Sequence, residues 1–457
     1  LYLDRKLSWN IHLDMTIKKT EKYMNALRMI AYHKWGADPA TCLLFYRSTI
    51  RAVIDFGSIF YNRANKEKLR ALEKIQNGCI RLSLGYLKST PRDVMLAEAS
   101  DPPLDVRRRM LSDRYVLKTM ANTPQVSRKI AQLCIMFLTY AYWRRKVTPL
   151  IIESFMDISY FQMDIYRSNK LPIFEADYED IIFTADVCYL PDYKQTPADM
   201  VNRVFKDDIL SIAPNYHLIF TDGSKSANNV GAAILDLALN ESRQFRLPQF
   251  MSNYTAELIA IIEALEYIEN LPYNKYAILT DCRSVLEVLA NVNYQSHTSS
   301  LVLLLKKRCR KFYEANKQIK FIWVRGHAGI HENEITDNLA KTAHTEGTMI
   351  FHKAPAYDLN SKSREEQTKY WQQSYEISTK GTFYKRFTPL VGRKPWFYNL
   401  SLPRKDIKTI NRIRSNHAIC GAYLARIGQK ESNLCNVCKE KEDPEHMIMT
   451  CKKYDKQ

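Results

Sequence analysis

The spacing of apolar side chains predicts helices in the first part of the chain. Between positions 69 and 82 apolar residues recur every three or four positions, and Gly85 follows them, which is typical of an amphipathic helix and its C-terminal stop. Thr90-Pro91 and Pro102-Pro103 then indicate new helix starts. Residues 121–210 are weakly patterned, and we interpret them as a connecting region.

From about residue 217 the pattern changes to strands and helices. Three short apolar runs separated by turn residues predict consecutive strands at 217–221, 230–235 and 245–247. A predicted helix, strand, helix, strand and helix follow at 255–269, 276–280, 301–313, 319–324 and 333–344. This order predicts a mixed five-stranded sheet with flanking helices. The expected fold class is a multidomain α and α/β protein, with a helical N-terminal region, an α/β domain and a small C-terminal segment.

Length and composition exclude several classes of protein. The chain has 457 residues, 46% hydrophobic and 25% charged, which fits a globular protein of about two to four domains. Thirteen Gly and 17 Pro are too few for a collagenous or low-complexity chain. We find no signal-peptide pattern and no apolar stretch of the roughly 18 residues that a membrane span needs. Ten Cys do not make a disulfide framework at this length, so an intracellular, reducing location is expected.

The positive charge lies at the two ends of the chain. The formal net charge is +18, of which residues 1–120 carry +10 and residues 349–457 carry +10. Residues 121–210 carry −2, and residues 211–348 are neutral. Two basic arms around a neutral centre are typical of an enzyme that acts on nucleic acid and has separate binding modules. A basic chain that is merely soluble remains the alternative.

Four acidic residues occupy related positions in the predicted α/β domain. Asp222 and Asp281 end predicted strands, Glu257 lies in the first turn of a helix, and Asp337 lies in the last helix. Carboxylates at the C-terminal ends of strands converge on the crevice where α/β sheets bind ligands. Divalent cations such as Mg²⁺ or Mn²⁺ would neutralise them, and two such ions can assist phosphodiester hydrolysis. Each residue alone is equally typical of a turn, a helix cap or a solvated surface.

The order of these acids resembles a known family. Thr221-Asp222-Gly223-Ser224, Thr255-Ala256-Glu257-Leu258, Thr280-Asp281-Cys282 and the stretches around His327 and Asp337 resemble ribonuclease H over about residues 215–346. The resemblance implies that Asp222, Glu257, Asp281 and Asp337 hold two Mg²⁺ ions and cleave the RNA strand of an RNA–DNA hybrid. It also implies that His327 lies on a mobile loop and assists proton transfer or product release. Two positions depart from the family pattern. The family usually has Gly where this chain has Glu332, and Ala where this chain has Thr336.

The helix predicted at 301–313 carries a run of basic residues. It contains Lys306, Lys307, Arg308, Arg310 and Lys311. The run is either a solvated helix face or a surface that contacts the phosphates of the hybrid. We favour the phosphate-binding interpretation.

The C-terminal segment contains a Cys/His cluster. Cys435, Cys438, His446 and Cys451 have the spacing C-x2-C-x7-H-x4-C. Three thiolates and an imidazole suit one tetrahedral Zn²⁺, and a site filled by four protein ligands is expected to be structural. Nearby basic residues, among them Arg412 and Arg414, are expected to contact nucleic acid.

The arms extend the resemblance. Leu3-Asp4-Arg5-Lys6-Leu7, the helical segment 69–84 and Asn411-Arg-Ile-Arg with the Cys/His cluster resemble the C-terminal half of non-LTR (LINE-type) retrotransposon polyproteins of the I, Jockey and R1-like kind. This predicts the following domains: a reverse-transcriptase thumb-like region at 1–125, a connection at 126–210, ribonuclease H at 211–348, a linker at 349–400 and a basic segment with a CCHC zinc knuckle at 401–457.

The resemblance also carries expectations about context. The chain does not begin with Met, and we interpret it as an internal fragment from which the polymerase palm is absent. RNA, DNA and their hybrid are the expected partners, without a membrane, in a nuclear or cytoplasmic ribonucleoprotein. A catalytically silent nucleic-acid-binding remnant of a decayed element is the alternative from another functional class. A stand-alone cellular ribonuclease H is a further one.

Overall fold

The computed structural model describes residues 1–5, 8–32, 35–160, 165–166, 182–187, 196–291, 299–350, 353 and 355–454. The chain divides into two compact units. The first unit contains Leu1–Val116, Arg128–Tyr160 and Ser363–Gln457, and the second contains Leu117–Ser127 and Phe161–Lys362. Within the described ranges no helix has the length and apolar character needed to cross a membrane.

Helices occur throughout the described part of the chain, both around the strands and outside them. In chain order they are α1 (Asn10–Ile30), α2 (Pro39–Phe45), a π-helical segment (Tyr46–Arg51), α3 (Ala52–Asp55), α4 (Ser58–Tyr61), α5 (Lys66–Leu84), α6 (Arg92–Ala99), α7 (Leu104–Asn122), α8 (Pro124–Thr139), α9 (Ala141–Arg144), α10 (Leu150–Tyr160), α11 (Ala198–Ile212), α12 (Asn253–Glu269), α13 (Arg283–Ala290), α14 (Ser300–Glu314), α15 (His331–Glu346), α16 (Ala356–Ile377), α17 (Thr382–Phe387), α18 (Arg404–Arg414), α19 (Gly421–Arg426) and α20 (Pro444–Met449).

Helix α5 shows why the first unit is helical. The Asn65 side chain accepts a hydrogen bond from the Glu67 backbone N–H at 2.8 Å, which caps the N-terminus. Gly85 ends the helix with φ of 73°, a conformation that glycine adopts without a Cβ clash. Leu72, Ile75 and Cys79 are buried on one face, as the spacing predicts. The predicted helical N-terminal region is thereby confirmed.

The core of the first unit also includes residues from the C-terminal part of the chain. Trp371 and Tyr375 of α16, Tyr384 of α17 and Ile407 of α18 belong to the same buried cluster as Leu72. Residues 349–400, which the sequence predicts as a linker, therefore contain helices that pack into this core. The sequence pattern does not show this, because the contact partners lie about 300 positions apart and α16 is mostly polar.

Arg404 joins the C-terminal segment to two helix ends. Its guanidinium donates hydrogen bonds to the carbonyls of Ala37 at 2.6 Å, Ala31 at 3.1 Å and Leu82 at 3.1 Å. The last carbonyls of a helix lack partners within the helix, and a cation satisfies them and interacts well with the helix dipole. Arg404 thus stabilises the C-terminal ends of α1 and α5.

The second unit contains the sheet. Its strands are β1 (Phe183–Asp186), β2 (His217–Lys225), β3 (Val230–Asp236), β4 (Glu241–Leu247), β5 (Lys275–Thr280), β6 (Gln318–Trp323) and β7 (Thr348–Met349). In the described part of the chain they form a seven-stranded sheet in the order β1-β6-β5-β2-β3-β4-β7. Strands β2, β3 and β4 pair antiparallel, and the other pairs are parallel. The five predicted strands and the mixed sheet are confirmed, and β1 and β7 add a short strand at each edge.

Helices cover both faces of this sheet. On one face Leu258 and Ile262 of α12 and Leu305 of α14 pack against Ile278 and Phe321. On the other face the core contains residues of α11 and α15 together with the sheet residues, among them Val201, Phe205, Ile209, Phe220, Leu279, Ile322, Ile335 and Leu339. The apolar runs of the central strands are therefore buried on both sides, as expected for parallel strands.

Candidate active site and metal centre

Two neighbouring parallel strands bring Asp222 and Asp281 together. Thr221 of β2 pairs with Thr280 of β5, and each is followed directly by one of the acids. Strand β2 continues to Lys225, so Asp222 lies inside a strand rather than at the end that the sequence predicts. The side chains of Asp222, Glu257 and Asp281 can place one oxygen each within 4.8 Å of one another.

Helix α12 supplies Glu257 to this group. The Ser252 side chain caps the helix by accepting a hydrogen bond from the Thr255 N–H at 3.2 Å, so Glu257 lies close to the N-terminus. Gly223 lets the helix approach β2, because a Cβ built on it would lie only 2.4 Å from the Glu257 backbone nitrogen. The Asp222-Gly223 pair is therefore a close contact between strand and helix and not a turn.

Helix α15 supplies Asp337, which has further partners. Lys341 donates a hydrogen bond to Asp337 Oδ2 at 2.5 Å. His327 Nδ1 lies 3.9 Å from Asp337 Oδ2 and 4.0 Å from Glu334 Oε2, and its side chain is 73% exposed. The sequence reasoning did not single out Glu334 or Lys341. Their spacing from Asp337, three positions before and four after, was the available signal for one shared helix face.

The carboxylates of this group favour protonation unless positive charge is supplied. Burial, followed by repulsion from Asp281 and Asp337, raises the pKa of Asp222 to about 7. Burial and then the Asp222 charge raise the pKa of Glu257 well above its ordinary value. Burial and the Asp337 charge also raise the pKa of Asp281. Buried acids that repel one another in this way are typical of functional sites.

The donor atoms fit a hard divalent cation. Asp222 Oδ2 and Glu257 Oε2 are buried and have no hydrogen-bond partner among the described residues. Buried polar atoms are normally satisfied, so these two oxygens call for a ligand that the protein itself does not provide. A set made only of carboxylate oxygens suits Mg²⁺ or Mn²⁺.

The comparison with protein families agrees with this geometry. The sequence profile of ribonuclease H matches residues 214–345. These residues form a ribonuclease H domain. Domains of this family are usually nucleases and typically use Mg²⁺.

Solved structures of ribonucleases H also match, each over 28% of this chain. Ribonuclease H1 of the halophilic archaeon Halobacterium salinarum is 18% identical, matched over 98% of its own chain, with a TM-score of 0.23. The N-terminal ribonuclease H domain of a Mycobacterium tuberculosis protein, solved as a fusion with maltose-binding protein, is 19% identical over 93% of its chain, with a TM-score of 0.23. A search of curated proteins gives no match.

The basic run on α14 of the ribonuclease H domain is only partly available to a ligand. Lys306 is 1% exposed and donates a hydrogen bond to the Asn291 carbonyl at 2.7 Å, so it is part of the core and not a phosphate contact. Arg308 and Arg310 form ion pairs with glutamates at 2.9 Å and 2.8 Å. Lys307 and Lys311 are exposed. The charge pattern did not distinguish the buried lysine, because Lys306 lies on the apolar face of the helix.

The four C-terminal Cys and His residues come together in the first unit. Cys435, Cys438, His446 and Cys451 can place one ligand atom each within 4.8 Å of one another. The Cys451 Sγ lies 3.7 Å from Cys435 Sγ and 3.9 Å from Cys438 Sγ. Zn–S bonds of about 2.3 Å place tetrahedral sulfurs roughly 3.8 Å apart, so this spacing suits one Zn²⁺.

The surrounding residues determine which ring nitrogen of His446 is available to bind a metal ion. Its Nδ1 lies 3.0 Å from Glu440 Oε2 and 3.1 Å from Thr450 Oγ1, whereas its buried Nε2 has no partner among the described residues. A carboxylate on one ring nitrogen is the usual support for metal binding by the other. The backbone N–H of Cys438 lowers the pKa of Cys435 to about 6, which favours the thiolate.

Arg412 and Arg414 have structural partners in the first unit. Arg412 Nε donates to the Gly85 carbonyl at 2.8 Å, and Arg414 donates to Thr388 Oγ1 at 2.7 Å. Arg414 also pairs with the buried carboxylate of Glu98 at 3.5 Å. These bonds connect α18 to neighbouring segments of the first unit, and contact of the two partly exposed guanidiniums with nucleic acid stays an expectation.

Proposed function

We propose that this protein hydrolyses the RNA strand of RNA–DNA hybrids. The observation that carries the proposal is the group of buried carboxylates with unsatisfied oxygens within a domain that matches ribonuclease H. Asp222, Glu257, Asp281 and Asp337 would bind the divalent cations, two in number. Cations held there would supply positive charge to the phosphodiester during its displacement by water.

The protein's own side chains have distinct tasks in this proposal. Asp222 and Glu257 are fixed by the sheet and by α12, so their oxygens are held in place before any ligand arrives. Lys341 neutralises part of the charge on Asp337 and orients its carboxylate. His327 lies at the exposed edge of the group, within 3.9 Å of Asp337, where it can hold or release a proton at Nδ1.

The remaining surface supports binding of nucleic acid. Lys307 and Lys311 on α14 are exposed and basic, and we propose that they contact phosphates of the hybrid. The Cys435 cluster would hold one structural Zn²⁺ and so stabilise the C-terminal segment. The resemblance of both arms to non-LTR retrotransposon polyproteins supports a role of this chain in reverse transcription of such an element, in an intracellular ribonucleoprotein.

Cleavage of defined substrates tests the proposed function. The purified full chain in Mg²⁺ or Mn²⁺ is offered the same sequence as RNA–DNA hybrid, RNA duplex, DNA duplex and single-stranded RNA. We expect cleavage of the RNA strand of the hybrid and little cleavage of the other three. Tight binding of the hybrid without cleavage in either metal would instead support the catalytically silent nucleic-acid-binding remnant.

A further inference from the structure

A helix outside the ribonuclease H match is bound to the loop that carries His327. Helix α11 ends two positions before the matched residues 214–345, in the region that the sequence predicts as a connection. Its apolar residues Val201, Phe205 and Ile209 are 0%, 3% and 7% exposed and belong to the core of the sheet. The helix is therefore part of the core that covers one face of the sheet.

The Asn202 side chain of α11 uses both its amide nitrogen and its amide oxygen in hydrogen bonds to backbone groups. Asn202 Nδ2 donates to the Gly329 carbonyl at 2.7 Å and to the Ala198 carbonyl at 2.8 Å. Asn202 Oδ1 accepts from the His331 N–H at 3.1 Å. The amide thus joins the backbone on both sides of Ile330, two and four positions after His327.

The backbone at this loop needs such support. His327 has φ of 50° and Gly329 has φ of 87°, both in the left-handed region, which is unfavourable for a side chain such as that of His327. The Gly329 N–H donates to Glu334 Oε1 at 3.4 Å, and Ile330 is 1% exposed. A Cβ on Gly329 would lie 3.2 Å from the Ala198 Cβ, so α11 packs directly against the loop.

We infer that Asn202 is a positioning residue, which fixes the His327 loop beside Asp337 and makes α11 a functional part of the nuclease. This inference rests on the proposed function for its catalytic consequence. Its structural half, that the amide holds the loop, does not depend on cleavage. A misplacement of about 1 Å of a reacting group can reduce a rate 100-fold, so two backbone bonds to this loop are sufficient to influence turnover.

Three variants of the full chain test the inference. Asn202→Ala removes all three hydrogen bonds, and Asn202→Asp keeps the acceptor for the His331 N–H while removing both donors. Asp207→Ala is the matched control, because Asp207 is exposed on the same helix, about 140° around its axis from Asn202. Each variant is measured by hydrogen exchange of the segment 325–332 and by kcat and KM for the hybrid.

We expect Asn202→Ala to speed exchange of this segment at unchanged melting temperature and to lower kcat about 10- to 100-fold, with KM changed less than about 2-fold. Asn202→Asp is expected to lie between Asn202→Ala and the wild type in exchange, and Asp207→Ala to match the wild type. Unchanged exchange, or a higher KM with unchanged kcat, would overturn the inference. If the wild type does not cleave, the proposed function fails, and the exchange measurement alone decides whether Asn202 holds the loop.

Discussion

Gly223 of β2 lies directly against the backbone of Glu257 at the start of α12. A Cβ at position 223 would be 2.4 Å from the Glu257 nitrogen, well inside van der Waals contact. This contact fixes the separation between the strand that carries Asp222 and the helix that carries Glu257. The geometry of the carboxylate group thus depends on the absence of a single methyl group.

Gly223→Ala is expected to move α12 away from β2. Overpacking of this kind costs about 1–3 kcal/mol of unfolding free energy. Because it also displaces Glu257, we expect kcat for the hybrid to fall about 100-fold. Ser226→Ala, in the exposed turn after β2, is the control and is expected to retain stability and activity. A Gly223→Ala chain with wild-type kcat would contradict this role of Gly223.

Arg404→Ala is expected to destabilise the first unit. Its guanidinium donates to the carbonyls of Ala31 and Leu82, at the C-terminal ends of α1 and α5, and to the Ala37 carbonyl, and these would lose their charged partner. Loss of such bonds costs roughly 3 kcal/mol, measured as unfolding free energy in urea. Lys405→Ala, at the exposed neighbouring position, should stay within about 0.5 kcal/mol of the wild type. Equal stability of the two variants would contradict a capping role for Arg404.

His417 predicts a pH dependence of stability. Burial, followed by the charge of Arg426, lowers its pKa from 6.5 to about 4 in the folded protein. Between these values the unfolded chain binds more protons, so this contribution to stability is complete above pH 6.5 and is lost as the pH falls towards 4. One titrating group limits the slope to about 1.4 kcal/mol per pH unit, and solvent screening of the partly exposed ring keeps it below that limit.

The variant His417→Gln isolates this contribution. The unfolding free energy is measured for the wild type and the variant at pH 7.5 and pH 4.5. On going to the lower pH, the wild type should lose more stability than the variant. A difference that does not change with pH would show that His417 titrates normally in the folded protein.

Glu440→Gln is expected to weaken zinc binding. The Glu440 carboxylate lies 3.0 Å from His446 Nδ1 and supports metal binding at the other ring nitrogen. Removing such a partner reduces metal affinity about 10- to 100-fold. Competition with a chromogenic chelator measures the affinity, with exposed Glu431→Gln as the control and Cys435→Ser as the zinc-free reference. About one Zn per wild-type chain is expected, and its absence from a reduced preparation would refute the site.

The proximity of the two aspartates was easier to predict from the sequence than the segments that pack around them, for a physical reason. Asp222 and Asp281 follow residues that pair in adjacent parallel strands, so the strand pattern alone places them side by side. Val201, Phe205 and Ile209 of α11 have helical spacing in the sequence. This spacing does not show which surface of the protein the helix covers. Asn202 is therefore visible only once the loop containing Gly329 is seen beside it.

Charge was the least reliable signal in the sequence. Arg404, Arg412 and Lys306 contribute to a basic composition, yet in the structure each donates hydrogen bonds to backbone carbonyls. The sequence does not distinguish a lysine or arginine that donates to backbone carbonyls from one that binds phosphate. Only burial and the position of neighbouring carbonyls distinguish them.

Cleavage of an RNA–DNA hybrid by the wild type and by the double variant Asp222→Asn with Asp281→Asn tests the central claim most directly. Metal ions that stabilise developing charge are worth several kcal/mol, so the double variant should lose at least about 100-fold in rate while still binding the hybrid. The predicted result is Mg²⁺-dependent cleavage by the wild type that the double variant lacks. Equal cleavage by the two chains would contradict the assignment of these carboxylates to the active site.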